Sequence, residues 1–369
     1  MRKAFKYRIY LTHGQRRILE QQLETCRWVY NETLAERKRA YEERGESLRL
    51  YDTQAMLPGW KLTRPELKDV HSQVLQNVQV RVDLAFKAFF RHVKAGAEDV
   101  GYPRYKGKGR YDSLTYPQYG NGVRLDGDRL ILSKVGAVQV VLHRPLDGTP
   151  KTVTLHRSRT GKWFACFSVE SKPASLAETA TVVGVDVGLA SFATLSNGEQ
   201  IENPRFLRRD EADLKRVQRK KDAAKNAQDW PENAHQKAIL AKIHERIANR
   251  RADFAHQEAR KLVNRFSIIA VEDLNVGGML KNHRLAKSIA DVAWSQFAQI
   301  LVAKAEEAGR RIVRVDPRNT SKRCSRCGLL AEKTLSDRIH TCSACGLSLD
   351  RDVNAAINIL QRGLQTLRL

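Results

Sequence analysis

Hydrophobic positions repeat with two different periods along the chain. FKYRIYL sets Phe5, Tyr7, Ile9 and Leu11 against Lys6 and Arg8, the two-residue period of a strand with one buried face. Over residues 14–44 the spacing becomes helical, with Ile18, Cys26, Val29 and Tyr30 on one side. Pro58-Gly59 predicts a break. A second helix is predicted over 72–94, where Leu75, Val78, Val82, Phe86, Phe89 and Val93 recur every three or four positions; such a stripe predicts helix–helix core. Strand signals return with RLDGDRLIL, which turns at Asp126-Gly127, and VTLHRSRTGKWFACFSVE, which turns at Thr160-Gly161. They predict a small antiparallel sheet or barrel. If the first strand joins it, the helical pair at 14–94 is an insertion.

SKPASLAETA (171–180) is polar with small residues and reads as a linker. VVGVDVGL and SFATLSNG then predict a hairpin that opens a new domain. Residues 206–266 predict two long basic helices broken at Trp230-Pro231, because proline interrupts a helix interior. SIIAVEDLNV (267–276) is a short apolar run ending in acid, 285–309 is helical, RRIVRVDP (310–317) is a strand, and DRDVNAAINILQRGL is a terminal helix. The pattern is that of an α+β multidomain protein.

Composition changes the picture through charge. The 369 residues carry a net charge of +24, and 42% hydrophobic residues with five Trp exclude a disordered basic tail. Such an excess needs a polyanion, and nucleic acid is the first expectation. Two regions are candidates for contact. In GYPRYKGKGRYDSLTYPQYGNG, a loop-like stretch, Tyr105, Lys106, Lys108, Arg110 and Tyr116 interleave aromatic and basic groups, which suits base stacking and phosphate contact. On the basic helices, Lys220, Arg246 and Arg250 stand among Lys215, Arg219 and Lys237, charges of one sign. No run of about 18 apolar residues predicts a membrane span. MRKAFKYRIYL lacks the apolar core of a signal peptide, so a cytoplasmic, nucleoid-associated location is expected.

Four of six cysteines fall in CSRCGLLAEKTLSDRIHTCSACG, as Cys324-x2-Cys327 and Cys342-x2-Cys345. Two such knuckles supply four thiolates, the donor set of a closed, structural Zn²⁺ site. Cys26 and Cys166 lie in apolar segments and read as core thiols. Three further segments bring an apolar run to an acid: Asp186 in GVDVGL, Glu272 in IIAVEDL, and Asp350 or Asp352 in LDRDVNAAINI. A buried carboxylate is costly unless paired or bound to metal. Gathered acids that hold two Mg²⁺ ions would suit phosphodiester hydrolysis. Taken singly, Asp186 could belong to a turn, Glu272 to an element end, and Asp352 to a helix N-cap.

Together GVDVGLASFATL, VEDLNV, SIADVAWSQF, VDPRNTSKRCSRCG and DRDVNAAINIL resemble the TnpB family of transposon-encoded RNA-guided DNA nucleases, which are similar to compact type V CRISPR effectors. The resemblance implies a prokaryotic protein with an RNase H-like, RuvC-type nuclease domain split by a zinc ribbon. It implies catalytic acids at Asp186, Glu272 and Asp352, choosing Asp352 over Asp350. It implies a wedge-like β-barrel over 1–12 and 98–175, a helical recognition insertion over 13–97, nuclease segments over 176–319 and 347–369, and the ribbon over 320–346. The implied partners are a guide RNA from the transposon end and double-stranded DNA beside a short adjacent motif, with no obligate protein partner. Gln76 and Asn77 are candidates for reading that motif, since amides suit adenine edges. Two other functions fit the same scaffold: a non-cleaving RNA-guided DNA-binding regulator, and a transposase or recombinase acting without RNA.

Overall fold

A computed structural model describes every residue except 99, 178, 333, 335, 336 and 369. The chain forms two compact units, Met1–Lys172 and Pro173–Leu369.

In unit 1, β1 (Arg2–Tyr10) leads into α1 (His13–Arg44), α2 (Leu50–Ala55), α3 (Leu57–Thr63) and α4 (Ser72–Lys94). Six strands follow: β2 (Ser113–Tyr116), β3 (Val123–Asp126), β4 (Arg129–Leu132), β5 (Gly136–Val141), β6 (Thr149–Arg157) and β7 (Trp163–Glu170). All seven strands join one sheet in the order β2-β6-β7-β1-β5-β4-β3. The first strand sits at its centre, antiparallel to both β5 and β7. The edge strands β2 and β3 are consecutive in the chain, joined only by residues 117–122. Laid flat, seven strands would hold their edges about 29 Å apart, beyond the reach of about 24 Å for that connection, so the sheet curls toward closure. Its inner face and the buried faces of α1 and α4 share one core, from Tyr7, Phe167 and Trp163 to Leu19, Val29, Leu75 and Val82.

Two expectations change here. Pro58 does not end a helix; it lies in the first turn of α3, where a missing N–H costs nothing. The aromatic stripe of α4 is core only in its first half. Beyond Val82, Phe86 and Phe89 pack edge-on against Tyr102 and are half-buried, while Phe90 and Val93 are exposed.

Unit 2 opens with the hairpin β8 (Val182–Val187) and β9 (Ser191–Leu195), then β10 (Gln200–Glu202), α5 (Phe206–Arg209), α6 (Glu211–Asn226) and α7 (Trp230–Arg265). Pro231 opens α7 rather than breaking a helix. Next come β11 (Ile268–Glu272), α8 (Val276–Met279), α9 (Ala286–Val292), α10 (Trp294–Ala308) and β12 (Arg311–Val315). The small hairpin β13 (Ile339–Thr341) and β14 (Ser348–Asp350) precedes α11 (Arg351–Leu367). The main sheet runs β10-β9-β8-β11-β12; β8, β11 and β12 are parallel, and β9 is antiparallel to β8. Strand alternation sends Val183, Val185 and Ile269 to a core with α7 and α10. It sends Ala270, Val313 and Val315 to the other face, against Ile359 of α11. No helix of the described residues is long and apolar enough to cross a membrane.

Candidate active site and metal centre

The α11 face of this sheet decides where the acids go. Gly184 and Ala270 are register partners on β8 and β11, and the helix lies directly on them. A Cβ at Gly184 would fall 2.0 Å from the Ala356 carbonyl oxygen, and one at Gly363 would fall 2.7 Å from the Ala270 Cβ. Two residues further along each strand, on the same face, come Asp186 and Glu272. Val185 pairs with Val271 in parallel register, so the two acids are neighbours at the C-terminal ends of their strands. One turn before Ala356, in the first turn of α11, comes Asp352. Three remote carboxylates thus gather at the strand ends, where open α/β sheets bind ligands.

The helix cap separates Asp350 from Asp352. Asp350 Oδ1 accepts from the backbone N–H groups of Asp352 and Val353 at 2.8 and 3.1 Å, so Asp350 is the N-cap and its carboxylate is committed. The alternative role of Asp352 as cap is excluded. Asp352 Oδ1 instead lies 2.9 Å from both Nε and Nη2 of Arg351. The Glu272 Oε1 lies 2.6 Å from the Thr320 hydroxyl. The Asp186 carboxylate has no hydrogen bond or ion pair among the described residues. Desolvation, then the charges of Glu272 and Asp352, push its carboxyl well above the usual range. Burial also raises Glu272, although the Thr320 hydroxyl opposes it. Such carboxylates fit a divalent cation, which supplies the missing positive charge.

Several positioning residues were not singled out in the sequence. Asn354 and Asn358, one turn apart on α11, are both buried. Asn358 Nδ2 donates to the carbonyls of Thr320 and Arg323 at 2.8 and 2.7 Å, and Asn354 Nδ2 to Arg323 at 2.8 Å. The helix bearing Asp352 therefore clasps the segment whose Thr320 holds Glu272. Two asparagines four apart in an apolar helix were the available signal.

The cysteines assemble as their spacing predicts. In each knuckle the first cysteine and the following Gly close a turn: Gly328 donates to Cys324 O at 2.9 Å and Gly346 to Cys342 O at 3.0 Å. The Sγ atoms lie 3.6 Å apart for Cys324–Cys345 and 3.4 Å for Cys327–Cys342. Tetrahedral zinc with bonds of about 2.3 Å sets sulfurs about 3.8 Å apart, so the donor set suits zinc. Among the described residues these four form the one group of three or more potential ligands whose ligand atoms all lie within 4.8 Å of one another; the three carboxylates are not drawn so close. N–H groups of Cys345 and Ala344 bring the Cys342 thiol down to about 6 despite burial. Burial raises Cys324, but the N–H groups of Cys327 and Arg326 outweigh it and bring the thiol to about 7. No disulfide forms, and Cys26 is a buried core thiol while Cys166 is half-buried.

The nucleic-acid candidates divide. Gln76 is exposed and Asn77 half-buried on α4, beside Gln73, whose Nε2 donates to Gln118 Oε1 at 3.1 Å. Tyr105, Lys108, Arg110 and Lys220 are exposed. The loop at Lys106 is pinned: its N–H donates to Asn31 Oδ1 at 2.7 Å, and its carbonyl accepts from Arg27 and Asn31. Tyr116 is 1% exposed and packs against His71, because its strand parity turns it inward; it presents no ring to a ligand. Arg246 and Arg250 both reach the buried Asp210, at 3.5 and 3.1 Å, so they tie α6 to α7 as well as facing solvent.

Family models match three stretches: "Helix-turn-helix domain" over residues 1–46, "Probable transposase" over 166–283 and "Cas12f1-like, TNB domain" over 294–359. The first stretch is here a strand followed by one 32-residue helix. A Streptomyces pristinaespiralis protein named "Putative RNA-guided DNA endonuclease" is 35% identical, covering 99% of this chain and 90% of its own. "TnpB-like protein L79" of Acanthamoeba polyphaga mimivirus is 27% identical over 60% of this chain and 45% of its own. Among solved structures, a chain of the Cas12f1–sgRNA–target DNA complex has the same fold at a TM-score of 0.57 and 15% identity, covering 94% of this chain and 82% of that one. The motifs, the matched models and the full-length relative agree: the chain belongs to the TnpB family, related to Cas12f.

Proposed function

We propose that this protein is an RNA-guided DNA endonuclease that hydrolyses phosphodiester bonds with Mg²⁺ held by Asp186, Glu272 and Asp352. The observation that carries the reading is the convergence of these three acids at one end of the unit 2 sheet, with Asp186 left without a partner. The strand order, with β9 antiparallel and β8, β11 and β12 parallel, supports an RNase H-like, RuvC-type domain over 176–319 and 347–369, interrupted by a zinc ribbon over 320–346. The curled sheet supports a wedge-like barrel over 1–12 and 98–175, with a helical recognition insertion over 13–97.

In this reading guide RNA from the transposon end pairs with the target strand. The protein reads a short flanking motif in double-stranded DNA, with Gln76 and Asn77 as the amides that face adenine. Basic surfaces such as Lys108, Arg110 and Lys220 hold phosphates. A pair of Mg²⁺ ions, when bound, supplies activation of water and stabilisation of the leaving oxygen. The chain's own residues orient the site: Thr320 fixes Glu272, Arg351 fixes Asp352, and the Asn354–Asn358 clasp holds both sides in register. Zinc on Cys324, Cys327, Cys342 and Cys345 has no open position and acts structurally.

The test is Asp186→Ala in protein purified with its guide RNA. Cleavage of matched double-stranded DNA is expected to vanish while RNA and target binding persist. Cleavage at the wild-type rate would remove the metal-site assignment, and equal cutting by RNA-free protein would remove the guide.

A further inference from the structure

Past Asp186, β8 runs into a turn at residues 188–190. Beside that turn lies a polar cavity of about 570 Å³, walled by Leu189, Asn203, Arg205 and Arg208, and by Lys287 and Ser288 of α9. Asn203 fixes the wall: its Nδ2 donates to the Leu189 carbonyl at 2.9 Å, and its Oδ1 accepts from the Arg205 N–H at 3.1 Å. Leu189 is three positions past Asp186, so this wall of the cavity lies within about 11 Å of the Asp186 backbone, at the acid-bearing end of the sheet.

Its charge is uncompensated. Two carboxylates face the cavity, Glu211 and Asp291, and both are committed. Glu211 is shared by Lys215, at 3.1 Å, and Lys287. Asp291 accepts from Arg251 at 2.6 Å and from the Leu207 N–H at 3.0 Å. Arg205 and Arg208 are exposed and have no carboxylate partner among the described residues. Arg205 also sits at φ 48° and ψ 50°, a left-handed conformation that costs a non-glycine residue about 1 kcal/mol. The Asn203 side chain holds that backbone in place, and strained residues of this kind cluster at ligand sites.

We propose that this cavity is a subsite for a backbone phosphate of the DNA strand being cut, next along the strand from the scissile one, with Arg205 and Arg208 as its phosphate-binding residues. The inference rests on the nuclease reading above and deepens it. A strand that presents one phosphate to the acids must carry its neighbours past the adjoining surface. Guanidinium groups bind phosphate through paired N–H donors. The subsite also offsets the repulsion between a polyanion and three gathered carboxylates.

The test uses the full-length protein–guide RNA complex carrying Arg205→Gly, Arg208→Ala and both. Arg205→Gly removes the guanidinium and relaxes the left-handed backbone, so lost cleavage cannot be assigned to unfolding; thermal melts check this. At saturating target DNA the double variant is expected to cleave about ten- to a hundredfold more slowly, with guide RNA retention and target binding unchanged. Cleavage should depend less steeply on salt, as expected when one or two phosphate contacts are lost. The double Arg→Lys variant should recover part of the rate. Wild-type cleavage by the double variant, with Asp186→Ala still inactive, would overturn the subsite and leave the nuclease reading intact. Loss of guide RNA in parallel with cleavage would assign the cavity to RNA and likewise overturn it. Wild-type cleavage by Asp186→Ala would instead sink the nuclease reading, and the subsite with it.

Discussion

Asp83 in unit 1 is buried and Asp186 in unit 2 is half-buried, and they are held in opposite ways. Asp83 lies between Arg37 Nη2 at 2.8 Å and Lys87 Nζ at 2.9 Å. Burial raises its carboxyl, but hydrogen bonds from Lys87 and Arg37 outweigh burial and leave it below the usual range. Asp186 has no cation of its own, and burial with two acidic neighbours drives it the other way. The fully buried acids of unit 2 follow Asp83: Asp210 with Arg246 and Arg250, Asp291 with Arg251, Glu258 with Lys261. In a chain with net charge +24, cations are abundant, yet the nearby Arg351 is paired with Asp352 and not with Asp186. Carboxylates that hold the fold together bring their cation within the chain. In the acid cluster only Asp352 has such a partner, Arg351 at 2.9 Å; in the proposed reading the charge left over is met by a cation from outside.

The comparison breaks most sharply if the two aspartates are changed alike. Asp186→Asn should lower cleavage by about four orders of magnitude, the scale of removing one member of a catalytic unit, while the melting temperature without divalent ions rises because repulsion is relieved. Next in size, Cys324→Ser should bring bound zinc below one per chain by metal analysis and open 320–346 to protease, since such metal binding supplies local folding free energy. Full zinc content in that variant would refute the four-thiolate site. Asp83→Asn should leave cleavage intact at low temperature but cost unit 1 about 3 kcal/mol, because Arg37 stays buried and unpaired. The pH dependence has a definite sign. A carboxyl held below its ordinary value stabilises the fold above the unfolded value near 3.9, and that contribution disappears as pH falls through the folded value. Urea unfolding of wild type and variant should therefore differ at pH 7 and converge in strong acid. A difference that persisted there would show packing, not charge, to be the cause.

What was legible in the sequence follows the same division. Period-2 and helical spacing located β1, α1, α4, the β6–β7 and β8–β9 hairpins and α11, because one-sided burial writes itself into alternation. The cysteine knuckles were legible because ligand spacing is local. Three apolar runs that each meet an acid suggested a gathered cluster, but the choice of Asp352 over Asp350 was only implied by kinship, and the parallel register between β8 and β11 leaves no local mark. Tyr116 was misjudged because composition does not report strand parity. The exposed half of α4 looked like core because an aromatic row has the same spacing whether a partner covers it or not. The Arg205 backbone strain and the buried Asn354–Asn358 pair depend on tertiary contacts and had no stronger local signal than residue type.

The smallest expected effect tests whether the acids are positioned or merely present. Thr320 is 4% exposed, and its hydroxyl is 2.6 Å from Glu272 Oε1, while its carbonyl is held by Asn358 from α11. Thr320→Val keeps the shape and removes the hydroxyl. A hydrogen bond to a charged group contributes about 1.5–3 kcal/mol, part of which the valine methyl and bound metal would offset, so a fall in cleavage of about tenfold is expected. The informative readout is magnesium dependence. If the hydroxyl aims Glu272 at a cation, the variant should need more Mg²⁺ for half-maximal cleavage and recover most of its rate at saturation, and Thr320→Ser should behave like wild type. If Thr320 only packs the segment before the ribbon, Val should be tolerated and the Mg²⁺ midpoint should not move. That outcome would leave Glu272 held by burial alone and would place the asymmetry between Asp83 and Asp186 in the acids themselves, with no support from the shell around them.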